Sequence, residues 1–210
     1  ERRMSALSIK DIEPTGPDRR ACRLLFDDGD PEGLILPQAV VKALGIEPGA
    51  IFASRASLRA QVDAIEAECA WNRCLRILNA RDKTSYELRS RLGQDGYHLK
   101  VVERTLRRLA ELGLVDDERF TANYVEAGLR AKKGWPRIVK ELARKGIDLD
   151  IEDLRYRPDP QEEYDAAYAL VKRLPVTTEK ERTRVLRRLI TRGFPYATAR
   201  RVLDARKAML

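Results

Sequence analysis

Apolar and polar positions in this chain follow two different periods. Up to about residue 55 the pattern is short and strand-like: LSIKDIEP and RACRLLFDDGD alternate partly around the breaker TGPD, and the second runs into an Asp-Asp-Gly-Asp turn cluster. These stretches predict a hairpin. GLILPQAVVKALGIEPGAIF adds a third strand and a helix that opens at Pro37 and stops at Gly45, because proline suits the first helical position and glycine the residue after the last. From about Ser57 a helical period takes over, with Leu58, Val62, Ile65, Cys69, Leu75 and Leu78 spaced along one stripe.

Within the helical region a single pattern occurs three times: an apolar residue, Leu four positions on, Gly four positions after that, then another apolar or aromatic residue. It reads LRSRLGQDGY from Leu88, IVKELARKGI from Ile138 and VLRRLITRGF from Val185, at intervals of 50 and 47 residues. Positions i and i+4 share a helix face, and glycine enters the left-handed conformation that closes a helix. Each copy therefore predicts a short amphipathic helix with a glycine stop, and the near-constant interval predicts a repeat array.

Each unit is expected to hold three helices with this marker in the middle. In the first, Thr84 or Ser85 opens the marker helix as N-cap, with Glu87 three residues after Thr84 as a capping box, and a third helix runs through Val101, Val102, Leu106, Leu109 and Leu112 to Gly113. In the second, Asp116 and Asp117 open a helix carrying Phe120, Tyr124, Val125 and Leu129; Pro136 starts the marker, and a short third helix spans Asp150 to Tyr156. The third has helices over Glu162 to Leu174, Thr178 to Arg192 and Pro195 to about Ala208. The expected organisation is a β-rich appendage over 1–56, a long linking helix with the first repeat over 57–114, and further repeats over 115–157 and 158–210. The fold class is mainly α: three tandem three-helix repeats behind a small β-rich appendage.

Charge sharpens this picture. Charged residues make up 35% of the 210 and aromatics 6%, which suits helices with small cores and long solvated faces. The first 60 residues hold nine basic and nine acidic groups, so the formal net charge of +8 lies entirely in the repeats. Residues 130–147 carry seven basic groups and one acidic, whereas 148–165 carry eight acidic and two basic. On the second marker helix Ile138 and Leu142 face inward, leaving Arg137, Lys140, Arg144 and Lys145 on the outer arc, with Lys132 and Lys133 just before it. On the third, Arg184, Arg187, Arg188 and Arg192 lie outside Val185, Leu186, Leu189 and Ile190, and Arg200 and Arg201 extend that patch. Such arcs fit phosphate neutralisation or an acidic protein surface. Trp135 and Tyr196 are the aromatic residues near enough to stack on bases.

Catalytic chemistry finds little footing. No GxxxxGK[ST], GxGxxG or HExxH occurs. Asp116, Asp117 and Glu118 are consecutive, so their side chains diverge, and helix capping accounts for them better than a metal. Cys22, Cys69 and Cys74 lack metal-ligand spacing and read as buried thiols, and His98 reads as a helix-start residue. No membrane span and no secretory leader is evident, which predicts a cytoplasmic protein. Neither an enzyme activity nor a metal or cofactor is expected.

Four segments, RDKTSYELRSRL (Arg81 to Leu92), GLVDDERF (Gly113 to Phe120), KKGWPRIVKELARKGI (Lys132 to Ile147) and RRLITRGFPYATARRVL (Arg187 to Leu203), resemble the RecX family of regulators of the RecA recombinase in wording and order. The likeness covers about residues 70 to 208 and implies that the three repeats form an elongated curved array. It implies a non-enzymatic, monomeric modulator that binds the RecA filament on single-stranded DNA, and double-stranded DNA besides, and restrains filament assembly and ATP-dependent activities in homologous recombination, DNA repair and the SOS response. The different-class alternative is a free-standing DNA-binding protein using helix-turn-helix-like units. The appendage departs from compact members of that family. Its ILPQAVVKALGIEPG also resembles the strand-Pro-helix-turn element of swapped-hairpin DNA-binding regulators, although its neutral charge argues against a separate DNA grip.

Overall fold

The computed structural model describes residues 6–208; residues 1–5 and 209–210, at the outer ends of the expected appendage and third repeat, lie outside the described residues. The described chain divides into two compact units, Glu1–Val115 and Asp116–Leu210.

In the first unit, β1 (Leu7–Thr15), β2 (Ala21–Phe26), β3 (Leu34–Pro37) and β4 (Ile51–Phe52) form an antiparallel sheet in the order β3-β2-β1-β4. The β1–β2 register slips between Ile9 and Asp11, a bulge that keeps Ile9 opposite Phe26 and both side chains buried. The helix α1 (Gln38–Ala43) follows Pro37 and gives way at Gly45, as its Pro and Gly predict. The two-residue β4 is too short to leave a pattern in the sequence.

Helix α2 (Arg55–Leu78) starts two residues earlier than expected because Ser54 accepts the Ser57 N–H as N-cap. Its buried face differs from the apolar stripe. Leu58 and Val62 are buried as predicted, but the line continues through Glu66, Ala70, Arg73 and Cys74, while Ile65, Cys69, Leu75 and Leu78 pack on its shoulder. Cys69 is accordingly half-buried rather than buried. Glu66 is fully enclosed and accepts hydrogen bonds from the His98 backbone at 2.6 Å and from Arg59 at 3.1 Å. Arg73 pairs with the buried Asp95 at 2.6 Å. Burying these groups is tolerable because each has a partner.

α3 (Ser85–Gln94) carries the predicted Thr84–Glu87 capping box, and α4 (Leu99–Glu111) begins at His98, whose Nδ1 accepts the Lys100 N–H. The core of this unit runs without a break from the sheet into α2, α3 and α4. Gly96, at φ +88°, is both the helix stop and a docking point: a Cβ there would lie 3.1 Å from that of Ala21 and 3.2 Å from the Leu36 backbone.

In the second unit, α5 (Asp117–Arg130) and α6 (Trp135–Ala143) form one cluster, while α7 (Pro160–Val171), α8 (Glu179–Thr191) and α9 (Tyr196–Lys207) form another. Asp116 caps α5 by accepting the Arg119 N–H at 2.8 Å. The short third helix expected over Asp150 to Tyr156 is instead a run of turns, stapled by Asp150 and Asp153 side chains that accept backbone N–H groups two residues on. Those local side-chain bonds compete with helix formation. α7 and α8 open with capping boxes, Asp159–Glu162 and Thr178–Glu181.

All three markers are realised alike. Leu88 and Leu92, Ile138 and Leu142, and Val185 and Leu189 are fully buried, and the glycines have φ of +88°, +77° and +87°. In each, the N–H after the glycine donates to the marker leucine carbonyl: Tyr97 to Leu92 at 3.1 Å, Ile147 to Leu142 at 3.1 Å and Phe194 to Leu189 at 3.2 Å. This is the glycine-closed helix end that the spacing predicted.

Candidate nucleic-acid interface

The second unit positions its cations through one close backbone contact. Gly134, the residue before α6, donates its N–H to the Arg192 carbonyl at 3.1 Å. A Cβ on Gly134 would overlap the Gly193 carbonyl, and one on Gly193 would overlap the Arg137 Cβ. Only glycine at both positions lets the start of α6 meet the end of α8 this closely. The Trp135 N–H, unpaired within its own helix, donates to the buried Glu163 carboxylate of α7 at 2.8 Å.

Two open clefts result, with Thr191 on the border of both. One, of about 380 Å³, lies between Arg137, Lys140 and Arg144 of α6 and Thr191 and Gly193. The other is lined by Glu181, Arg184, Arg187 and Arg188 of α8 and its C-cap Arg192, together with Leu174 and Pro175. The two basic arcs read separately from the sequence thus adjoin along one surface.

The cations are not equivalent. Glu141, the lone acid of its stretch, takes Lys133 at 2.5 Å, Arg137 at 2.9 Å and the Tyr124 hydroxyl at 2.9 Å. Burial opposes its charge, yet those hydrogen bonds from Lys133, Arg137 and Tyr124 prevail and hold its carboxyl at about 2. Arg137 also donates to the Thr191 carbonyl at 3.4 Å. Lys145 turns back over the rings of Phe120 and Tyr124, at 5.6 and 5.7 Å from their centroids. Lys133, Arg137 and Lys145 are therefore engaged within the fold.

Lys140 and Arg144 are exposed and have no ion pair among the described residues. The same holds for Arg184, Arg187 and Arg188, while Arg192 is half-buried and likewise unpaired there. Lys132 sits at φ +56°, the left-handed position that glycine takes at the marker turns, which costs a non-glycine residue about 1–2 kcal/mol. On α9, Arg200 lies 3.7 Å from Asp204 and donates to the Tyr196 hydroxyl, and Arg201 covers the Tyr164 ring at 4.4 Å. Neither lines the two clefts.

One base-stacking candidate falls away. Trp135 is only 2% exposed, and its indole N–H donates to the Ile151 carbonyl at 2.6 Å, so its ring belongs to the core; Tyr196 remains exposed. Glu141 and Thr191 were missed from the sequence, although the four-residue spacing of Arg137 and Glu141 was a readable sign of the first.

Known proteins resemble this chain in sequence and in fold. The family description "RecX, first three-helix domain" matches residues 70–109, and "RecX, second three-helix domain" matches 116–151. The "Regulatory protein RecX" of Mycolicibacterium smegmatis is 35% identical over 162 residues, covering 71% of this chain and 86% of that protein. That of Mycobacterium sp. (strain JLS) is 48% identical over 79 residues, covering 37% of this chain, and the matched stretch is 43% of that protein's length. A solved structure described as "Crystal structure of regulatory protein RecX" has a TM-score of 0.60 at 22% identity, covering 94% of this chain and 99% of that one, and so shares the fold. No helix of the described residues is long and apolar enough to cross a membrane. With two RecX domains matched in order and a relative aligned over most of its length, the chain belongs to the RecX family.

Proposed function

We propose that this chain is a non-enzymatic regulator of the RecA recombinase, docking as a monomer on the RecA filament on single-stranded DNA and restraining its assembly and ATP-dependent activities. The observation that carries the reading is the row Arg184, Arg187, Arg188 and Arg192: four guanidinium groups on one helix with no acidic partner among the described residues. Desolvated charges need partners, so such a row is suited to a surface that supplies phosphates or carboxylates in series, as a nucleoprotein filament does. Lys140 and Arg144 across Thr191 widen it, and Lys132 adds a further cation without an ion pair among the described residues. The family resemblance supplies the identity of the filament.

The test is charge reversal at Arg184, Arg187 and Arg188 in the full chain, added to RecA with ATP and single-stranded DNA. All three are exposed, so each change should alter stability by no more than about 0.5 kcal/mol. Inhibition of the RecA ATPase is expected to fall at least about tenfold and to lose much of its dependence on salt, because fewer counterions are released on docking. If inhibition persists while binding to naked DNA is lost, these arginines serve a free-standing DNA-binding function and the docking proposal is wrong.

A further inference from the structure

A second basic feature lies in the first unit, where the β-rich appendage meets the first repeat. Asp18 pairs with Arg91, Gly16 lies against the Gln94 carbonyl, and Gly96 lies against Ala21 and Leu36, so the sheet is fastened onto the end of α3. Beside this seam is a cleft of about 170 Å³ lined by Arg20, Lys42, Arg73, Arg76, Asp95 and Tyr97. Four cations face one carboxylate there, although the first 60 residues, which supply two of them, are neutral overall.

The cleft is built rather than incidental. Arg73 is 9% exposed, and Asp95 holds its Nε at 2.6 Å, leaving the two terminal nitrogens without a hydrogen-bond partner among the described residues. Tyr97 is 6% exposed, and its hydroxyl likewise has no partner among the described residues. That hydroxyl is not sealed in, since no enclosed side-chain polar atom among the described residues lacks a hydrogen bond. Burial first, then the Cys69 thiol and the Asp95 carboxylate, push the Tyr97 phenol up, so it offers a proton rather than a negative charge. A buried guanidinium fork, a neutral donor and three exposed cations at the mouth outnumber the one carboxylate of the cleft, Asp95, which Arg73 already engages.

We propose that this cleft is a binding site for a single phosphate group, with Arg73 and Tyr97 as its floor and Arg20, Lys42 and Arg76 as its rim. The size selects against a whole nucleotide, since the space is below the roughly 300 to 1,000 Å³ of sites that enclose drug-sized ligands. The surplus of positive charge favours a doubly charged phosphate monoester over a phosphodiester. The site is separate from the arginine row on α8 and stands or falls independently of the filament reading.

Calorimetric titration of the full chain with inorganic phosphate at constant ionic strength tests it. Saturable binding is expected, competed by sulfate but not by chloride. The double variant Lys42→Glu and Arg76→Glu, both at exposed positions, should weaken it at least about tenfold, because two charge-assisted contacts become repulsive. Tyr97→Phe keeps the ring in the core and should weaken it several-fold by removing one donor. A 5′-phosphorylated trinucleotide that displaces phosphate where its 5′-hydroxyl counterpart does not would identify a nucleic-acid end as the source; displacement by neither would identify the free anion. Absence of saturable binding to the native chain, or equal binding by the native chain and both variants, overturns the proposal.

Discussion

Helices α6 and α8 are copies of one design that use their charge in opposite ways. Both bury an apolar residue and a leucine one turn apart, both end in a left-handed glycine, and both carry basic residues on the remaining arc. On α6, Glu141 draws in Lys133, Arg137 and Tyr124, so much of the nearby positive charge serves to hold the loop before the helix. On α8 the acids sit in the first turn, where Glu181 completes the capping box and Glu179 takes Arg182, and Arg184, Arg187 and Arg188 further along have no ion pair among the described residues. One helix commits part of its positive charge to architecture, whereas the other presents most of it. A count of basic residues per segment therefore overstates what α6 offers a partner more than it does for α8, where Arg182 alone of the arginines is tied into the fold among the described residues.

The largest expected effect comes from the joint between the two helices. Gly193→Ala forces a Cβ into Arg137 and a side chain into a left-handed backbone, and should destabilise the second unit by about 3 kcal/mol or more. Gly113→Ala has the same φ sign but open space around it, so thermal or denaturant unfolding should show only about 1–2 kcal/mol. Equal losses in the two variants would show that the α6–α8 contact carries no energy.

Next in size is Glu141→Gln, which removes the charge that α6 is organised around. A carboxyl moved from its usual 4.5 to about 2 contributes on the order of 2 to 3 kcal/mol at neutral pH. Because the folded value is the lower one, that contribution is complete above about pH 4.5 and disappears as pH falls towards 2. Urea titrations from pH 7 to pH 2.5 should therefore show the native chain and the variant converging on acidification. A gap that stays constant across that range would mean that Glu141 acts by packing, not by charge.

The smallest effect on stability belongs to Lys140→Ala with Arg144→Ala, expected within about 0.5 kcal/mol per site because both side chains are exposed and unpaired among the described residues. If the chain docks on RecA as proposed, the same pair should lower inhibition, but less than reversal of the α8 arginines does. The reverse ranking would move the main contact from α8 to α6.

What the sequence disclosed, and what it withheld, divides along the same physical line. The three markers were legible because burial at i and i+4 followed by a left-handed glycine leaves a local trace at Leu88, Ile138 and Val185. The caps at Thr84 and Asp116 were legible for the same reason. The inner line of α2 was not, since Glu66 and Arg73 are buried through partners 32 and 22 residues away, which an apolar pattern cannot register. The turns over Asp150 to Tyr156 escaped because the aspartates that staple them equally suit helix starts. For the interface, the sequence named the cations, but which of them Glu141 and the aromatic rings engage depended on the fold.

The meeting of Gly134 and Gly193 has a consequence for how this surface can vary. Where two helices are held apart by side chains, exchanging a leucine for a valine can slide one against the other; here main chain rests on main chain, and no substitution offers a slightly longer or shorter spacer. The gap between the α6 and α8 cation rows is thus a fixed ruler. Descendants of this sequence could change which charges stand along the ruler, but not the interval between its two edges.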